Sequence, residues 1–101
     1  MWAQLIKWRV KPGKDPAALH EQLRAIEQPD SGLLQTIVMQ DQKDAHQFYT
    51  LVVFDSEEKA RARERDPRRQ EGLHAAQAMM ADMLAGPPEF ADLAVVEHWT
   101  G

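Results

Sequence analysis

One histidine in a helical stretch, one tryptophan inside an alternating strand and a knot of methionines are the residues of this chain best placed to do chemistry. His74 follows Leu73, a member of an apolar helical stripe, and so stands at the stripe's border facing the edge of a pocket. Imidazole titrates near neutral pH, which makes His74 a candidate general base; the plainer alternative is a boundary histidine bonded to backbone or water. Trp8 shares its side of a strand with Ile6 and Val10. Its functional reading, as a catalytic candidate beside His74, is a stacking wall for a flat aromatic substrate, with Ile6 beside it, or an electron donor; the plainer alternative is an ordinary core aromatic. Tyr49 either orients a substrate oxygen or lies in a subunit interface. Met79, Met80 and Met83 crowd one helix, where thioethers fill irregular gaps; Met80 and Met83 are candidates to line a pliable apolar pocket, and equally serve as plain core. The ligand such a set would take is small and apolar or aromatic.

Other chemistries lack their residues. Without cysteine there is no disulfide, thiolate nucleophile or cysteine-held metal. His20, His46 and His98 are scattered, and no pair has the i, i+4 spacing of a helical metal site, so no metal is assigned. Neither a glycine-rich phosphate loop nor a nucleophile elbow is present, so no cofactor is expected.

The elements that must position these residues follow from periodicity. Residues 2–11 alternate, with Trp2, Gln4, Ile6, Trp8 and Val10 on one side and Ala3, Leu5, Lys7, Arg9 and Lys11 on the other, before Pro12-Gly13 ends the strand. Asp15 reads as an N-cap with Pro16 at the first helical position, and Leu19, Leu23 and Ile26 make one stripe that Pro29 stops. Strands are expected over 33–40 and 46–54, joined through Asp41-Gln42-Lys43-Asp44. Ser56 caps a helical region that Pro67 divides into a short piece and a longer one over about 69–85, with Leu73, Ala76, Met80, Met83 and Leu84 facing inward. After Gly86-Pro87-Pro88 a last strand is expected over 89–99. The order β-α-β-β-α-β is that of a ferredoxin-like α+β fold, and right-handed crossovers put both helices on one face of a four-stranded antiparallel sheet.

With 101 residues the chain is one domain, 1–101, with a modest core. The net charge of -4 argues against a nucleic-acid partner. The basic run Arg61, Arg63, Arg65, Arg68 and Arg69 is interleaved with acids and reads as a solvated helical face, the alternative being an anion or phosphate site. There is neither the apolar core of a signal peptide near Met1 nor an apolar run of the roughly 20 residues that cross a bilayer, so no membrane partner and a cytoplasmic location are expected.

Three of the four strands are apolar on both sides; only the first has a polar face, and even that includes Leu5. Leu33 and Ile37 oppose Leu34 and Val38 on the second, and Phe48, Val52 and Phe54 oppose Tyr49, Leu51 and Val53 on the third. Helices cover only one face, so the other would be a large exposed patch, which soluble monomers rarely carry. The expected cover is the same face of a second copy, an isologous homodimer.

The element order and length, together with Phe54-Asp55-Ser56-Glu57-Glu58-Lys59-Ala60 after the third strand and Ala85-Gly86-Pro87-Pro88-Glu89-Phe90 before the fourth, resemble the dimeric α/β-barrel superfamily, and within it the antibiotic biosynthesis monooxygenase-like family. The resemblance implies that two protomers join their sheets into a barrel, and that each keeps a pocket between its own sheet and helices. Members include cofactor-independent monooxygenases of aromatic polyketides, haem-degrading enzymes and a quorum-signal processing enzyme. It therefore implies a cofactor-free monooxygenase that uses the electrons of a quinol-like or polyketide substrate. The alternative is a non-catalytic homodimeric binding or stress-associated protein. Haem-degrading relatives carry a first-strand asparagine, a helix tryptophan and a histidine ligand. Here those positions fall at Trp8 or Lys7, near Arg63, and at His74, so haem breakdown is disfavoured.

Overall fold

Residues 1–101 are described by a computed structural model. The strands β1 (Trp2–Arg9), β2 (Leu33–Gln40), β3 (Gln47–Phe54) and β4 (Glu89–Ala94) form one sheet, and the helices are α1 (Ala17–Ala25), α2 (Glu57–Glu64) and α3 (Pro67–Met83). The strand order is β2-β3-β1-β4, antiparallel throughout. This is the expected ferredoxin-like architecture, with its second helical region split in two.

Local chemistry sets the boundaries. The Asp15 carboxylate accepts from the Ala17 N–H at 3.0 Å, but the N-cap is Pro16 rather than Asp15, so α1 begins one residue later than expected, at Ala17. Ser56 Oγ accepts from the Lys59 N–H at 3.2 Å, and Glu57 and Glu58 complement the dipole of α2. Asp66 accepts from the Arg68 N–H at 2.9 Å, so α3 begins at Pro67, two residues before the expected start. Gly32 takes φ +82° in the turn before β2, and its carbonyl accepts from the Asp55 N–H at 2.9 Å.

Two strands are shorter than expected because their partners run out. β1 ends at Arg9, and beyond it Val10 makes an isolated bridge to Leu84 and donates its N–H to the His46 carbonyl at 2.9 Å. The last strand ends at Ala94 rather than residue 99. Its single neighbour is β1, and once the Val95 N–H has reached the Met1 carbonyl at 3.3 Å no ladder partner remains. On β2 a bulge between Leu33 and Gln35 corrects the expected face assignment. Leu33 packs against the core beneath the helices, whereas Ile37 lies opposite Leu51 on the other face.

The core has two parts. At one end of the sheet Trp2, Val52 and Phe54 pack against Ala60 of α2, with Ile6 and Leu33 beside them. At the other end Leu19 of α1 meets Ala76 and Met83 of α3. The basic run is not uniformly solvated. Arg69 is 4% exposed. Arg63 is mostly covered and grips Glu27, just past the end of α1, with both Nε, at 2.9 Å, and an Nη. The reason is that the short α2 turns straight into α3, which folds these two arginines in toward the end of α1.

The face away from the helices carries Leu5, Ile37, Met39, Tyr49, Leu51 and Leu93. Ile37, Met39 and Leu93 are exposed large apolar side chains of the single chain.

Candidate functional site

A groove of about 430 Å³ opens between α3 and the start of β4. Its helix wall is Gln77, Met80, Ala81 and Leu84, its end is Gly86-Pro87-Pro88, and Phe90 is its strand-side wall. Helical spacing puts 77, 80, 81 and 84 on one stripe. The rigid Pro87-Pro88 pair then turns the chain so that Phe90 enters β4 pointing to the helix side. There it is 59% exposed, opposite Ile6 in the β1–β4 register. Gln77 is the only wall residue with a polar side chain, so the groove suits a flat apolar ligand.

The residues singled out in the sequence divide among several places. Met80 lines this groove, and Ile6 adjoins Phe90 across the strand pair. Met83 is buried against Leu19 and Ala76, inside the core. Trp8 is 7% exposed. Its indole N–H donates to Thr50 Oγ1 at 2.9 Å, its ring stacks on Phe48 at 4.5 Å, and the His20 imidazole meets it edge-on at 5.5 Å. Trp8 also borders a smaller, more polar hollow of about 260 Å³ with Lys7, Arg9, Gln47 and Glu89. Tyr49 is paired with Lys7, not Trp8, and therefore lies on the opposite face of the sheet from the groove. His74 is exposed on α3, one helical turn before Gln77, and forms no side-chain hydrogen bond.

Several contributors escaped the sequence reading. Gln4 and Asp92 are directly opposed in the register, on the same face as Ile6 and Phe90. Gln4 Nε2 donates to Asp92 Oδ1 at 3.0 Å, and an Arg61 Nη from α2 donates to Asp92 Oδ2 at 2.9 Å. The Gln4 hydrogen bond first, and then that of Arg61, hold the Asp92 carboxyl below the usual aspartate range. Arg61 also pairs with Glu57 at 3.3 Å and Glu64 at 3.2 Å and lies over the Trp2 ring at 5.1 Å. The signal available in advance was the alternation itself, which placed Gln4 on the side of Ile6. Which residue would oppose Gln4 depended on the β1–β4 register.

His20 was set aside as one scattered histidine, yet it packs on Trp8. Burial first, then the neighbouring Arg24, pushes its imidazole below the usual value of 6.5. No three histidine, aspartate or glutamate side chains converge to hold a metal ion. No helix is long and apolar enough to cross a membrane.

Comparison with known proteins agrees with this architecture. The family model described as antibiotic biosynthesis monooxygenase matches residues 1–79. No protein of curated function matches the chain by sequence. Among solved structures, Rv0793 from Mycobacterium tuberculosis superposes with a TM-score of 0.71 or better, namely 0.74, at 14% identity over 98% of both chains. A protein from Chloroflexus aurantiacus J-10-fl, provisionally described as an antibiotic biosynthesis monooxygenase, gives 0.66 at 26% identity over the whole of both chains. SnoaB from Streptomyces nogalater, a cofactor-independent oxygenase solved as an asparagine-to-alanine mutant, gives 0.71 at 11% identity, covering 96% of this chain and 94% of its own.

Proposed function

This chain belongs to the antibiotic biosynthesis monooxygenase family, and from that premise we propose that it is a cofactor-independent monooxygenase whose substrate is an electron-rich aromatic held in the α3–β4 groove. The observation that carries the reading is the groove's lining, with Met80, Leu84, Pro88 and Phe90 around a single polar side chain, Gln77. Such a wall binds a fused aromatic through apolar area and leaves its oxygens free.

The chemistry needs little from the protein. A quinol or anthrone that loses a proton becomes an electron-rich anion. It can reduce dioxygen, combine with it as a hydroperoxide and expel water, so that the CH2 of an anthrone, or of a quinol's keto tautomer, and O2 give C=O and H2O. The protein's share is to bind, to exclude water and to take the first proton. His74 is the proposed base, one turn from Gln77 along the groove-bearing helix, and general-base assistance of this kind is worth about 10²–10⁴ in rate.

Oxygen uptake with a panel of anthrones and naphthohydroquinones tests the reading. Turnover is expected from the wild type, with a loss of about a hundredfold or more in His74→Ala. Ala81→Trp, which fills the groove from an exposed helix position, should abolish turnover. No uptake by the wild type, or uptake that Ala81→Trp leaves intact, overturns the proposal.

The second reading is a non-catalytic binding protein. What favours it is that His74 has no group to orient its imidazole. A ligand that fills the groove without oxygen uptake is its signature.

In either case the chain is proposed to work as a homodimer. The face with Leu5, Ile37, Leu51 and Leu93 has no helix over it, and only 14 of the 101 residues are buried in the single chain, so a second copy would supply much of the missing core.

A further inference from the structure

The groove is apolar at the Pro87-Pro88 end, and beyond its Phe90 wall the same face of β4 turns polar. Phe90 and Asp92 are two residues apart on β4 and point to the same side, as do Ile6 and Gln4 on β1. Same-face neighbours on a strand are separated by about 6.6–6.8 Å. A fused aromatic lying against Phe90 and extending along β4 would bring its far edge within reach of the Asp92 carboxylate.

We propose that Asp92 is a positioning residue that accepts a hydrogen bond from a substrate hydroxyl, so that the groove selects neutral hydroxylated aromatics and rejects aromatic carboxylates. The inference rests on the groove being the ligand site.

Two observations and one general property of hydrogen bonds carry it. First, the carboxylate is held still and left accessible. Gln4 engages one oxygen and Arg61 the other, each oxygen keeps a further lone pair, and the side chain is 47% exposed. Second, the one nearby cation is already committed. Arg61 is shared among Asp92, Glu57 and Glu64, so three carboxylates surround a single guanidinium and the local balance is negative. An incoming anion would meet repulsion, whereas a phenolic O–H meets an acceptor. Third, a hydrogen bond to a charged acceptor discriminates more strongly than a neutral one.

Asp92 is not cast as a base. Its ion pair and hydrogen bond favour the ionised form, which makes it a weak proton acceptor and a steady hydrogen-bond acceptor.

The test is anaerobic titration of the full chain, followed by tryptophan fluorescence, with three ligands of one ring size: 1,4-dihydroxynaphthalene, 1,4-dimethoxynaphthalene and 1-naphthoate. The wild type is expected to bind the dihydroxy compound about tenfold or more tightly than the dimethoxy compound, as one charge-assisted hydrogen bond provides, and to bind naphthoate most weakly. In Asp92→Ala the hydroxyl preference should fall to near one, and naphthoate should gain as Arg61 is released. Asp92→Asn, which keeps an acceptor but not the charge, should fall between. A merely structural role would lower the unfolding midpoint and leave these ratios unchanged. A hydroxyl preference that survives in folded Asp92→Ala, or naphthoate binding most tightly to the wild type, overturns the inference while leaving the groove as the ligand site. If none of the three ligands binds the wild type, the site assignment fails and this inference with it.

Discussion

The indole N–H of Trp8 lies 2.9 Å from Thr50 Oγ1, across the β1–β3 pair, and this bond makes the ring a fixed part of the sheet's helix side. With Phe48 stacked on it and His20 at its edge, Trp8 holds β1, β3 and α1 together. Trp8→Ala should therefore cost about 3–5 kcal/mol, as truncations of buried aromatics do. Trp8→Phe should cost about 1–2 kcal/mol, mainly through the unpartnered Thr50 hydroxyl. Urea denaturation measures both, and a cost below 1 kcal/mol for Trp8→Ala would contradict the core role.

Gly72 of α3 faces Ile26 of α1 so closely that a Cβ on it would stand 2.0 Å from Ile26 Cγ2. Gln22 also reaches across to donate to the Gly72 carbonyl at 3.1 Å. Alanine in an ordinary helix site is worth up to about 1 kcal/mol over glycine. Here overpacking reverses the sign, and Gly72→Ala should destabilise by about 1–3 kcal/mol. Ile26→Ala in the same chain should relieve part of that cost, a coupling that a double-mutant cycle reads directly.

The Arg63–Glu27 pair ties α2 to the end of α1. Burial alone would raise the Glu27 carboxyl, but the hydrogen bonds and charge of Arg63 outweigh it and leave the group below its ordinary 4.5. A carboxyl depressed by folding contributes stability that is complete above the unfolded value and lost as pH falls through the folded one. Thermal unfolding should thus show a loss below about pH 4.5 that Glu27→Gln reduces, with Glu27→Gln costing about 1–3 kcal/mol at neutral pH.

His20 has a linkage of the same sign in a higher pH window. Its imidazole is depressed below 6.5 by burial against Trp8 and by Arg24, so the unfolded chain binds the proton more readily. Its contribution is complete above pH 6.5 and is lost as pH falls from there through the folded value. Removing the titration with His20→Phe should flatten that part of the stability profile. An unchanged slope between pH 5 and 7 would contradict the assignment.

The helix-free sheet face gives a prediction on assembly. Light scattering should find twice the 11.5 kDa chain mass at micromolar concentration. Leu51→Arg, at the centre of that face, should yield monomer or unfolded chain, since a charge cannot be buried there unpaired. A wild-type monomer would contradict the pairing.

Much of this fold was legible in the sequence because its signals are local. Alternation over residues 2–9, the Ser56 cap and the Pro87-Pro88 break each act within a few residues, and each element lies close to where those signals put it. The site was less legible because it is made between elements. Trp8, Met83 and Met80 were all candidates for one pocket, yet one is locked by Thr50, one is buried on Leu19 and only the third lines the groove. The bulge after Leu33 shifted one strand's faces through a single extra residue, which no periodicity announces. Element type follows from short-range sterics and hydrogen bonding, which each stretch of chain carries in itself. Strand register and helix approach decide which side chains share a surface, as they did when β4 set Asp92 opposite Gln4, and those belong to the packed whole.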